Sequence, residues 1–141
     1  MSMEQEAAQL RDDLVALREA CVSCEALIEA AADVVEDPEF RRRLNERRDA
    51  WAQMTKLCAA LLNESGGYVG DNPTIAPTLH RAWVKIKAAV NDEKGIVKEC
   101  LRREEMVREK LEATLRRDLP PSVHSKFCAV LDRVASLDLP P

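Results

Sequence analysis

The stretch LREACVSCEALIEAAADVVEDPEFRRRLNERRDAWAQM, from Leu17 to Met54, decides the fold. Before Glu36 its apolar residues step by four and three through Leu17, Cys21, Cys24, Ile28, Ala31 and Val35, a spacing that lines them along one side of an α-helix. After Pro38 the same spacing resumes with Phe40, Leu44, Arg47, Trp51 and Met54. Between the two seams stands Glu36-Asp37-Pro38. The residue before a proline is steered out of the helical region, and Asp followed by Pro reads as the N-cap and first position of a new helix. Two seams joined by so short a link fold back on each other as an antiparallel pair.

Working outward, the first seam extends back through Leu14 and Leu10 to about Glu4. The second continues through Cys58 and Leu61 to about Asn63 and is expected to end at Ser65-Gly66-Gly67, a left-handed cap. Tyr68 to Pro77, with Gly70, Asp71, Asn72 and Pro73, reads as a loop. A short helix follows, carrying Leu79, Trp83, Ile86 and Val90 on one face and His80, Arg81, Lys85 and Lys87 elsewhere. Asn91-Asp92 caps a third long helix, Glu93 to Asp118, whose seam is Val97, Cys100, Glu104, Val107, Leu111 and Thr114. Leu119-Pro120-Pro121 ends it, and Ser122 to Leu137 forms a last helix with Val123, Phe127, Val130 and Val134 inside.

Link lengths predict the topology. The links between helices one and two and between three and four are short, whereas the crossover, about residues 65–92, holds a loop and a helix about 20 Å long at 1.5 Å per residue. Such a segment travels the length of a bundle, so helices two and three run parallel. The expectation is an all-α, ferritin-like up-down-down-up four-helix bundle with an additional short helix in the crossover, filling residues 1–141 as one domain.

Composition agrees with this reading. Ala, Leu, Glu, Lys and Arg make up half of the 141 residues, against 4 Gly and few aromatics, which disfavours sandwiches, barrels and glycine-rich nucleotide folds. A formal charge of -4 speaks against nucleic acid as a partner, since a dedicated binder needs a basic face. The acidic N-terminus (Glu4, Glu6, Asp12, Asp13) is unlike a secretion signal, and no apolar run reaches the length of a membrane span. A cytoplasmic location without stable membrane insertion is therefore expected, with the five cysteines present as thiols.

At LHRAWVKIKAAV (Leu79–Val90), at IVKECLRREEMVREKLEATLRRDLPPSV (Ile96–Val123) and at EAAADVVEDPEF (Glu29–Phe40), the chain resembles an uncharacterised bacterial family of ferritin-like four-helix-bundle domains. The resemblance implies that fold and a stress-associated or unassigned role, with no established catalytic reaction. Cys24 and Arg103 stand where the family pattern would place glycines beside its acidic pairs.

Ferritin-like connectivity invites a test for a di-iron centre, which takes a Glu from each of two helices and Glu-x-x-His from the other two. Pro77 and Pro121 occupy the positions three before His80 and His124, so neither histidine fits. Glu104 lies on a seam, where Arg47 or Arg48 is the expected partner in a half-buried pair that sets register. Cys21, Cys24 and Cys100, with Glu25 and Glu104, define the alternative: a metal-binding or storage bundle in which core thiolates and carboxylates hold Cu(I) or Zn(II). Buried cysteines more often pack as small hydrophobes, so no cofactor is the first expectation. Cys21-Val22-Ser23-Cys24 has the redox dithiol spacing but sits in mid-helix, away from the N-terminal dipole that lowers a thiol pKa. The arginines from Arg41 to Arg48 are offset by Glu36, Asp37, Glu39, Glu46 and Asp49 and read as a solvated face of paired charges.

Trp83, Arg81 and Ile86 on the crossover helix make the expected interaction surface, which can pack on the bundle itself, the first expectation, dock against a second copy, or touch a membrane surface. The reading is thus a non-enzymatic bundle acting through self-association as a homo-oligomer, or by binding an unidentified protein.

Overall fold

The computed structural model describes residues 2–64, 77–88 and 92–139, with backbone only at residues 77–80 and 82. Among the described residues there are five α-helices and no strand: α1 (Met3–Val34), α2 (Pro38–Glu64), α3 (Pro77–Ala88), α4 (Glu93–Leu115) and α5 (Pro121–Ala135). The expected cap at Ser65-Gly66-Gly67, nearly all of the expected loop that follows it, and Asn91 lie outside the described residues.

The α1–α2 hairpin forms as its sequence dictates. Val35 leaves α1 in extended conformation, and Asp37 caps α2 by accepting a 3.1 Å hydrogen bond from the Phe40 amide. Pro38, lacking an amide hydrogen, takes the first helical position, where no donor is needed. Leu14, Leu17, Cys21, Cys24, Ile28 and Ala31 from α1 meet Phe40, Leu44, Trp51, Met54 and Cys58 from α2 in one buried cluster. Near its end the α2 stripe departs from the simple count: Leu62 is buried and Leu61 only half-buried. A helix of 3.6 residues per turn drifts against alternating steps of three and four.

Named contacts give the directions. Thr55 donates to Glu25 at 2.6 Å and Arg41 to the Ala32 carbonyl at 3.2 Å, so α1 and α2 are antiparallel. Arg117 reaches Asp13 and Gln9, both at 2.8 Å, while Cys24 lies near Cys100 and Glu104, so α4 is antiparallel to α1. Arg47 donates to the Val134 carbonyl at 3.3 Å and Arg133 to Gln53 at 3.4 Å, which sets α5 antiparallel to α2. Helix α3 lies against α1 and α4, with Ile86 driven into the core and Lys85 3.9 Å from Glu99. Asp92 caps α4 through the Gly95 amide at 3.1 Å, and Pro121 opens α5.

Candidate functional site

Where α2, α4 and α5 converge, three side chains from two of them make the most buried polar arrangement. Arg47 is 5% exposed and Glu104 2%. The Arg47 guanidinium donates from Nε to Glu104 Oε2 at 3.0 Å and from Nη2 to Oε1 at 2.5 Å. The Trp51 indole N–H adds a third bond to Oε2 at 2.7 Å. A charged group taken from water needs such complete pairing, and the planar arginine fork matches both carboxylate oxygens at once. The expected Arg47–Glu104 pair is present, and the indole joins it as a second donor that residue spacing alone does not indicate.

The same guanidinium does more. Its Nη1 donates to the carbonyls of Val134 and Leu137, at and just past the end of α5. Arg43 adds a 3.3 Å bond to the Asp138 carbonyl. Arg41 performs this service for α1, which has no basic residue in its own last turn, by donating to Ala32 and, at 2.5 Å, to Val35. The last carbonyls of a helix have no partner within it and carry the negative end of its dipole, so arginines are suitable donors. The spacing of charges in this cluster predicts a solvated face. That holds for Arg42, clamped between Glu39 and Glu46, and hydrogen bonds from Arg42 and Arg43 pull exposed Glu39 down to about 2. It is corrected for Arg41 and for Arg47, which is buried against Glu104; Arg43 pairs with Glu39 as expected, and the backbone carbonyls that all three also reach leave no trace in residue type.

The residues proposed as metal ligands are close to one another without forming a site. Cys21, Cys24, Cys58 and Cys100 are all buried. Burial pushes Cys58 and Cys100 up to about 12 and Cys21 and Cys24 well above the ordinary thiol value, with neighbouring Glu104 adding to the rise at Cys24 and Cys100. Burial thus favours the protonated thiols, so a metal ion bound there would have to displace their protons. Both Glu104 oxygens are taken by Arg47 and Trp51. Glu25 accepts from Thr55, which also hydrogen-bonds Cys21, and burial raises the Glu25 pKa despite that bond. Among the described residues no three His, Cys, Asp or Glu side chains are grouped to hold a metal ion.

The α3 face divides in two. Trp83 is 37% exposed and Val84 50%, and Arg81 is exposed as well. Ile86 is fully buried, so its place in the expected interaction surface is corrected: it anchors α3 to the bundle. Lys87 stacks over the indole at 3.9 Å from the ring centre. The side chain of His80 lies outside the described residues.

Two features went unread in the sequence. A groove of about 460 Å³ runs between α4 and α5, walled by Val97, Leu101, Val134 and Leu139 and edged by Arg108. On α5, exposed His124 and half-buried Cys128 meet at 3.5 Å between Nδ1 and Sγ. Their spacing of four residues on a helix was the available signal. Among the described residues no helix is long and apolar enough to cross a membrane.

A family model described as "Domain of unknown function (DUF2383)" matches residues 9–117, from the first turns of α1 through the whole of α4. Neither a curated protein nor a solved structure matches the chain. With well over half of its length covered by that model, the chain belongs to the DUF2383 family of domains of unknown function.

Proposed function

We propose that this protein is a non-enzymatic, ferritin-like helical bundle that acts by self-association through α3. The helix directions support the ferritin-like part of the reading: α2 and α4 each oppose α1, α5 opposes α2, and the crossover contains a helix, which together describe an up-down-down-up order. The observation that carries the functional part is the neighbouring exposure of Trp83 and Val84 on a helix already anchored by Ile86. An indole and a branched apolar side chain side by side, with Arg81 at hand, have the composition of an interface anchor. Isologous pairing covers such a patch with its own copy. A protein partner also suits a chain of net charge -4 better than nucleic acid does.

The test is the mass in solution after treatment with a chelator. The wild-type chain is expected above its 15.8 kDa monomer mass in a concentration-dependent way, and the double substitution Trp83→Ser with Val84→Ser is expected to return it to monomer. A wild-type protein that stays monomeric, or an oligomer indifferent to both substitutions, overturns the reading. The stress-associated role implied by the family resemblance forms part of the same proposal and is tested by growth of a deletion strain under oxidative challenge.

A further inference from the structure

We infer that His124 and Cys128 form one half of a zinc site, completed by the same two residues of a second copy of this chain. Zinc bound tetrahedrally at about 2.3 Å from sulfur and about 2.0–2.1 Å from nitrogen holds those two ligand atoms roughly 3.5–3.6 Å apart. The Cys128 Sγ to His124 Nδ1 separation is 3.5 Å. The pair therefore already stands at the spacing the ion demands. Helix α5 fixes this spacing, since residues four apart project onto one face, the arrangement by which two histidines of a single helix grip zinc in other proteins.

The pair differs from the four core cysteines in the property that matters for binding. Cys21, Cys24, Cys58 and Cys100 are buried, whereas Cys128 is only half-buried and His124 is exposed, so an ion reaches them from solvent. Structural zinc takes four protein ligands. Among the described residues no third His, Cys, Asp or Glu joins the pair, and in this inference the remaining ligands belong to the second copy. A two-fold axis through the ion supplies them at once, giving a Cys2His2 set from two identical half-sites. The surface beside the pair permits that approach: Ser125 and Ala129 are small and exposed, and α5 packs chiefly on α2, which leaves its outer side open. Both residues also lie beyond the stretch matched by the family model.

The binding step balances simply. One Zn²⁺ replaces the thiol protons of two Cys128 side chains, two neutral His124 rings add their nitrogen lone pairs, and two protons pass to buffer. The product is a neutral centre with no change in oxidation state. This association is separate from the α3 surface and does not depend on it.

Reduced, chelator-stripped protein titrated with Zn²⁺ is expected to bind one ion per two chains while its mass doubles from the value before metal. Co²⁺ in place of Zn²⁺ is expected to show the intense visible bands of a tetrahedral ion and a thiolate charge-transfer band. Cys128→Ser and His124→Ala, both at positions outside the core, are expected to keep the helical circular dichroism and lose the doubling. The Trp83→Ser, Val84→Ser protein is expected to retain it, which separates failure of this inference from failure of the α3 reading. Zinc saturating at one ion per monomer, an unchanged mass, or a doubling that survives Cys128→Ser overturns the inference.

Discussion

At the scale of single residues, the arginine–glutamate–tryptophan node sets the largest local stake. Truncation of one member of a buried pair strands the other without water, at a cost of about 3–5 kcal/mol. Glu104→Ala is thus expected to destabilise the fold by about that amount in chemical denaturation, because it orphans both the Arg47 guanidinium and the Trp51 N–H. Glu104→Gln keeps an acceptor for the indole and is expected to cost less. Arg47→Met combined with Glu104→Leu is expected to recover much of the single-variant loss, since neither charge is then buried alone. If the double variant proves no better than Glu104→Ala, Arg47 acts mainly through the α5 carbonyls.

The thiols give a second residue-scale prediction, with a sign set by burial. Cys58 and Cys100 keep their protons in the fold up to about 12, whereas an unfolded thiol releases its proton near its ordinary value of 9.0. Between those values the native state binds more protons than the unfolded one, so stability falls as pH rises. The melting temperature is expected to drop through this window, less steeply in Cys58→Ala. Alkylation of native protein at neutral pH is expected to modify Cys128 quickly and the four buried cysteines only as fast as the chain opens. Rapid labelling of all five would contradict the core placement.

At the scale of elements, much was legible because the signals were local. Asp37-Pro38 announced the start of α2 and Asp92 that of α4, each through the backbone chemistry of its own residue, whereas Pro121, expected in the break before the last helix, is the first residue of α5. The seam positions of Arg47 and Glu104 announced their pairing. The rest was hidden for a physical reason. Trp83 and Ile86 share a face by spacing, yet their fates diverge because the position of α3 between α1 and α4 decides which angle of that face points inward. Arg41, and Arg43 beside its bond to Glu39, reach carbonyls that every residue possesses, so those targets emerge only from the fold. Removing a side-chain N-cap typically costs about 1 kcal/mol, and Asp37→Ala is expected to lower stability by about that much. Asp37→Asn, which retains an acceptor, is expected to be nearly neutral, as thermal denaturation will show.

At the scale of the whole molecule, the helices are unequally supported, and this predicts how the protein opens. Helix α1 packs against α2, α3 and α4, whereas α5 rests chiefly on α2 and leaves a groove of about 460 Å³ toward α4. Its docking relies on Phe127, Val130 and Val134 and on the Arg43 and Arg47 bonds to its C-terminal carbonyls. An element with few packed faces opens below the free energy of global unfolding. Native-state amide exchange is therefore expected to be faster at Phe127–Val134 than at Cys21–Ala31. Arg47→Met combined with Glu104→Leu should widen the difference, since it releases the α5 carbonyls without leaving a charge buried alone. Equal protection in both segments would mean that α5 unfolds only with the core. The groove would then be a fixed feature of a single cooperative unit, and a second copy meeting α5 through His124 and Cys128 would dock onto a rigid helix instead of ordering a loose one.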